Sequence, residues 1–378
     1  MRLVAGVLKE IFPGERRVAI VPSVLNLLAK AEVDVWVESQ AGAEAGFPDE
    51  EYEAKGASVK PGAKAVRDGA EVLLQVRAGQ PDQIGQGRTL IALCDPLGNP
   101  ELAQQFAQAG VTLFSMELIP RITRAQSMDV LSSMASIAGY KAALIAANAL
   151  PRLFPMMTTA AGTLPPARVL VIGGGVAGLQ AIATTRRLGA VVSGYDVRAA
   201  VKEQIESLGA KFVEINLQGV RAEGEGGYAR ALDDESYRRQ REQMASVLKA
   251  QDVVITTAAV PGKKAPLLIS REMVHMMSPG SVIVDLAAQR GGNCELTKAD
   301  ETVVERGVTV LGPLNLPSTV PYHASQMYAR NIIVFFKHLL KDGQLNIDLS
   351  DEITRETLVA RGGDVVNPKV QALLGVSA

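Results

Sequence analysis

Cysteine and histidine are both scarce in this chain. Its 378 residues include only 2 cysteines and 3 histidines. Cys94 and Cys294 lie far apart and form no metal or redox motif, which fits a reducing compartment. No metal site is expected. His275, His323 and His338 all fall late in the sequence, so the first half has no imidazole for acid–base work. An excess of one charge is missing too: 39 Lys and Arg offset 40 Asp and Glu, for a formal net charge of −1. That balance gives no support for nucleic-acid binding. Uninterrupted apolar stretches stay below the roughly 18 residues of a membrane helix. The nearest, Ile332 to Leu340, is broken by Lys337 and His338. The opening MRLVAGVLKEIFPGERR is too charged for a signal peptide.

What is present is ample apolar material. Hydrophobic residues make up 47% of the chain, enough for two cores. At about 100–200 residues per domain, the length suggests two domains. Short apolar runs alternate with helical stretches through the first third. Strands are expected at Leu3–Leu8, Val33–Glu38, Val72–Val76, Leu90–Leu93 and Thr112–Phe114, and helices near Ser23–Lys30, Glu50–Lys55 and Glu101–Ala109. Strands separated by helices imply a parallel, doubly wound sheet. A second series follows at Val169–Ile172, Val191–Tyr195, Lys211–Glu214, Val253–Thr256, Val282–Asp285 and Val308–Leu311.

The most informative segment is RVLVIGGGVAGLQAIATTRRLGAVVSGYDVR, residues 168–198. An apolar strand stops at Gly173-x-Gly175-x-x-Gly178 and passes directly into a helical pattern, and a second strand ends on Asp196. This is the dinucleotide fingerprint in its βαβ context. The first glycine makes the tight turn, the second lets the backbone approach the pyrophosphate, and the third lets helix and strand pack closely. Free amides and the dipole at the helix start favour phosphate. Asp196 stands where a carboxylate can hold ribose hydroxyls. A 2′-phosphate would meet that charge, so NAD is favoured over NADP. Arg198 softens the preference without reversing it.

Two small-residue helices are expected at 126–148 and 323–341. The first leads out of the first strand series, and the second leads back towards it. The expected architecture is α/β: two doubly wound, parallel-sheet, Rossmann-like domains with a cleft between them. Residues 1–139 and 321–378 would form the first domain, and 140–320 an inserted NAD-binding domain. Small apolar helices of this kind suggest a homodimer. The polar, glycine-rich stretch QGVRAEGEGGYARALDDES at 218–236 reads either as a surface loop or as a lid hinged at Gly224, Gly226 and Gly227. The Pro261-Gly262 turn follows a strand and reads as a ligand-side loop or as a plain turn.

Several stretches resemble one family. They are KEIFPGERRVAIVP at 9–22, RITRAQSMDVLSS at 121–133, the segment 173–212, GGYAR at 226–230, TTAAVPGKKAPLLI at 256–269 and GSVIVDLAAQRGGNCE at 280–295. Together they are similar to the NAD(H)-binding α subunit, or domain I, of proton-translocating nicotinamide nucleotide transhydrogenases. The resemblance implies hydride transfer from NADH to NADP⁺ held on a partner subunit, with a separate membrane subunit. It also implies a cytoplasmic, peripheral location without direct membrane insertion. The chain stops at Gly375-Val376-Ser377-Ala378, so a split arrangement of polypeptides is expected.

The resemblance also implies site residues. Arg121, Gln126, Asp129 and Ser132 would stand at the reacting nicotinamide. Val176, Val197, Arg198 and Gly227 would line the nucleotide, and Tyr228 would close over it. The residues alone allow a plainer reading of 126–132 as a capped helix start, with Ser127 capping and Asp129 favouring the dipole.

One rival is an alanine-type amino-acid dehydrogenase, which needs a general acid–base and a cation near the substrate carbonyl. Its family's lysine position is Gln75 here and its histidine position is Asp95, although Arg17, a substrate-binding position, remains. The other rival is a non-enzymatic NAD-binding regulatory subunit.

Overall fold

The computed structural model describes residues 2–215, 233–259, 262 and 264–375. They form two compact units, Met1–Met134 with Pro317–Ala378, and Ala135–Leu316.

The first unit opens with β1 (Leu3–Val7), α1 (Leu25–Ala29), β2 (Val33–Glu38), α2 (Asp49–Ala54), β3 (Ser58–Lys60), α3 (Ala63–Gly69) and β4 (Val72–Arg77). It continues through β5 (Thr89–Leu93), α4 (Pro100–Gln108) and β6 (Thr112–Ser115). These six strands pair in parallel, in the order β6-β5-β4-β1-β2-β3. Parallel strands covered on both faces read as continuous apolar runs. Leu73, Leu74, Leu90, Ile91, Leu113 and Phe114 are all at 0% exposure.

Helix α5 (Val130–Ala149) leads into the second unit. It starts later than the sequence suggests. Thr123–Met128 forms a 3₁₀ segment, and Asp129 departs from helical geometry at φ −71°, ψ 88°. The Asp129 carboxylate accepts from the N–H of Ser132 at 2.9 Å and from its hydroxyl at 2.6 Å. Asp129, not Ser127, therefore supplies the cap. Among the described residues, α5 is the one helix long and apolar enough to cross a membrane by length and composition. In the structure its Ala142, Ala143 and Ala146 lie in the core of the second unit.

The second unit adds a hairpin of β7 (Met157–Thr159) and β8 (Gly162–Leu164). Then come β9 (Arg168–Ile172), α6 (Val176–Arg187), β10 (Val191–Tyr195), α7 (Lys202–Ser207), β11 (Lys211–Phe212), α8 (Asp234–Leu248) and β12 (Val253–Thr256). Helix α9 (Arg271–His275), β13 (Val282–Asp285), β14 (Thr302–Glu305) and β15 (Val308–Leu311) complete it. The sheet order is β11-β10-β9-β12-β13-β15-β14, parallel except for the antiparallel β14 edge.

The chain closes with α10 (Pro321–His338), a short β16 (Leu340–Lys341) and β17 (Gln344–Leu345) hairpin, and α11 (Glu352–Thr357). After these come β18 (Leu358–Arg361), β19 (Asp364–Val365) and α12 (Pro368–Leu374). Strand β18 pairs antiparallel with β6, which brings the C-terminal segment into the first sheet.

Close packing of α5 on α6 rests on Gly139. A Cβ there would lie 2.0 Å from the carbonyl oxygen of Ala177. Helix propensity alone favours Ala over Gly by about 1 kcal/mol. Overpacking of this kind costs about 1–3 kcal/mol and wins. Gly139→Ala is therefore expected to lower the denaturant midpoint. An unchanged or raised midpoint would show that α5 and α6 do not meet this closely.

Candidate dinucleotide site

The β9–α6 turn has the geometry that its three glycines imply. Gly173 turns at φ +101°, in the left-handed region. A Cβ on Gly178 would sit 1.7 Å from the Gly173 carbonyl oxygen, so only glycine lets the helix come this close to the strand. A Cβ on Gly175 would meet no protein atom within 4 Å, so this is the face that a pyrophosphate can approach. Gly175 is the N-cap of α6, and no side chain caps the helix there. Its first-turn amides have no partner inside the helix and suit an anion. Val176, the first residue of the helix, is 41% exposed.

Asp196 follows β10 and is buried. Its Oδ2 accepts from the Gly174 N–H at 2.7 Å and from Arg198 Nη2 at 2.7 Å. Its Oδ1 accepts from the Arg198 N–H at 2.8 Å and Nε at 2.9 Å. The sequence placed Asp196 free to take ribose hydroxyls. The structure instead fills the roughly four acceptor positions of the carboxylate with protein donors, three of them from Arg198. A ribose would exchange with the Arg198 donors, while the Gly174 bond ties the carboxylate to the turn. The pairing also spends the Arg198 charge that could otherwise attract a 2′-phosphate. Val197 packs against the core that holds Tyr195. Gly227 and Tyr228, the candidate lid, lie outside the described residues, as does Pro261.

Sequence reasoning missed three contributors to this turn. A Cβ on Gly174 would lie 2.2 Å from Val201, so this intervening position is restricted as well. Thr257, just past β12, donates its N–H to the Ile172 oxygen at 2.8 Å and its hydroxyl to the Gly173 oxygen at 3.1 Å. Asn293 in turn holds the backbone of Ala258. The Gly291-Gly292-Asn293 run was the available signal, because paired glycines mark unusual backbone.

In the first unit, Arg121 and Gln126 are exposed, while Asp129 and Ser132 are partly buried. The structure joins Asp129 to Ser132 and keeps all four in one segment. Among the described residues no cluster of three or more His, Cys, Asp or Glu could hold a metal ion.

The carboxyl ends of β1 and β4 hold a second polar centre. Arg17 and Glu15 are both buried and paired bidentately at 2.7 and 2.6 Å. Arg77 reaches the same carboxylate at 3.2 Å and lies 4.5 Å over the Phe12 ring. Gln75 is 3% exposed, and its Oε1 has no hydrogen-bond partner. An amide cannot exchange protons, so the position carries no acid–base group. Asp95 adopts φ +47°, and its N–H donates to Glu117. Glu10 accepts from the N–H groups of Val76 and Arg77 at 2.6 and 3.1 Å. Some of the Glu10 side chain reaches solvent, but its carboxyl group is enclosed, and burial pushes its pKa up to about 8.

Fold and turn together define a two-unit α/β protein with a dinucleotide-binding fingerprint. The chain belongs to the alanine dehydrogenase/PNT family. The N-terminal domain of that family matches residues 6–138, and its C-terminal domain matches 142–368. The chain is 45% identical to the first portion of the NAD(P) transhydrogenase alpha subunit of Rhodospirillum rubrum, a separate polypeptide there, over 98% of each chain. The crystal structure of a transhydrogenase from Sinorhizobium meliloti superposes with a TM-score of 0.84 at 43% identity, covering 97% of this chain and 99% of that one. An L-alanine dehydrogenase structure superposes at 0.83 with 26% identity, covering 99% of each. The fold is thus common to both branches, and identity is higher on the transhydrogenase side.

Glu10 holds its proton more tightly folded than unfolded. Its contribution to stability is therefore complete below its ordinary value of 4.5 and is lost as pH rises through about 8. Glu10→Gln does not titrate. In unfolding titrations between pH 5 and 8, the parent is expected to lose more stability with rising pH than the variant. Parallel curves would show that the carboxyl group is solvated.

Proposed function

We propose that this chain is the NAD(H)-binding component of a proton-translocating transhydrogenase, passing hydride from NADH to NADP⁺ on a partner subunit. The observation that carries the reading is the β9–α6 turn, with Asp196 bonded to Gly174 inside it. The nicotinamide, when bound, supplies the hydride. The residues around it have the tasks of holding, orienting and excluding water. The amides at the start of α6 would hold the pyrophosphate, Gly175 would give it room, and Asp196 would take the ribose. Arg121, Gln126, Asp129 and Ser132 would orient the nicotinamide end. The Asp129–Ser132 bonds support this by fixing the helix start on which the exposed Gln126 borders. Val176, Val197, Arg198, Gly227 and Tyr228 would line or cover the nucleotide.

The same reading assigns an NADP(H)-binding subunit and a membrane subunit as partners, with the chain acting as a homodimer on the cytoplasmic side of the membrane. Alanine-type dehydrogenation is disfavoured by Gln75, whose buried amide cannot relay a proton.

The test is hydride exchange between NADH and an NADP(H) analogue, with the chain alone and mixed with an NADP(H)-binding partner. Transfer is expected only in the mixture, and alanine should give no NADH with the chain alone. A chain that binds NADH yet transfers nothing in the mixture would favour a regulatory role. Gln126→Asn withdraws the amide by about an ångström, a misplacement that can slow transfer on the order of 10²-fold while NADH binding stays near normal. Stopped-flow single turnover measures it, and a parental rate would remove Gln126 from the site.

A further inference from the structure

The second unit contains a buried polar network that ends at the fingerprint turn. Asp285, at the end of β13, is fully buried. Its Oδ1 accepts from the Thr256 hydroxyl at 2.9 Å and the Ala287 N–H at 2.9 Å. Its Oδ2 accepts from the N–H groups of Asn293 and Cys294, at 2.7 and 3.0 Å, and from the Thr297 hydroxyl at 2.6 Å. Gly291 and Gly292 both take left-handed backbone, at φ +93° and +80°. A Cβ on Gly292 would lie 2.8 Å from Asp285 Oδ2. Two such glycines let successive amides point inward and make a nest for an anion. The anion in this nest is the protein's own carboxylate, and its effect is to fix Asn293.

Asn293 uses that fixed position to hold another loop. It is itself fully buried. Its Oδ1 accepts from the Ala258 N–H at 3.1 Å, and its Nδ2 donates to the Ala258 oxygen at 2.8 Å and the Pro266 oxygen at 2.9 Å. Only a primary amide can satisfy an N–H and a C=O on one residue in this way. Holding Ala258 holds Thr257, whose N–H and hydroxyl bond to Ile172 and Gly173. A Cβ on Gly173 would lie 2.5 Å from the Thr257 hydroxyl oxygen, so the turn rests directly on this residue.

We infer that Asn293 is a positioning residue for the dinucleotide site, acting through Ala258 and Thr257 on the glycine turn. This rests on reading that turn as the NAD(H) site. Strand β12 flanks β9 on the side opposite β10, which leads to Asp196. The loop held by Asn293 therefore serves the pyrophosphate and nicotinamide half of the ligand, not the adenosine half.

The test compares NADH and 5′-AMP affinities by calorimetry for the parent chain, N293D, T257V and the double variant. N293D is isosteric but loses both donor bonds. It is expected to weaken NADH binding about tenfold. It should leave 5′-AMP within about twofold, and the double variant should be no weaker than N293D beyond about twofold, because both changes cut one path. Parental NADH affinity in N293D would overturn the inference. So would equal losses for both ligands, which mark general loosening, or multiplicative losses in the double variant. Should N293D fail to fold, T257V carries the test, with the same NADH-selective loss expected and its absence decisive. A parent chain that does not bind NADH at all would instead overturn the NAD(H) reading itself.

Discussion

The approach of α6 to β9 is the constraint on which the second unit turns. Gly178 lies so close to the Gly173 carbonyl that any side chain would collide with it. That closeness aims the first-turn amides of α6 past Gly175 into open space. It also places Gly174 where its N–H reaches Asp196 at 2.7 Å. The Val201 side chain packs beneath the same turn, and Thr257 supports it from the β12 side. A loop that takes part in binding is thus held as firmly as a core element. That is what hydride transfer requires, since its chemistry asks for position more than for proton exchange.

The first unit repeats the parallel fold with a different interior. At the carboxyl ends of β1 and β4, Arg17 is satisfied by Glu15, and Arg77 shares that carboxylate. The Gln75 amide lies among them without a partner for its oxygen. A centre of this composition stores charge without a group that gives or takes a proton at Gln75. The contrast with the rival dehydrogenase chemistry therefore lies in side-chain identity rather than in backbone, since one fold accommodates both branches of the family.

Much of this was legible in the sequence. Val33–Glu38, Val191–Tyr195, Val253–Thr256, Val282–Asp285 and Val308–Leu311 are strands at their expected bounds. Buried parallel strands leave a continuous apolar run that periodicity can find. The strands that went unread, β3, β7, β8, β14, β18 and β19, are short, edge-lying or exposed, and become strands only through their partners. The three glycines and Asp196 were readable because local backbone sets their roles. The Arg198 clamp on Asp196 was not, because a rotamer decides it. The Asn293 hold on Ala258 spans 35 positions in the chain, beyond any local pattern.

The central claim is that the turn ending at Asp196 accepts NAD(H) and rejects its 2′-phosphorylated counterpart. Parallel calorimetric titrations of the whole chain with NADH and NADPH test it most directly. The account predicts saturable NADH binding and far weaker NADPH binding, because a 2′-phosphate would meet the buried Asp196 carboxylate and an Arg198 already paired to it. Equal affinities for the two nucleotides would contradict it.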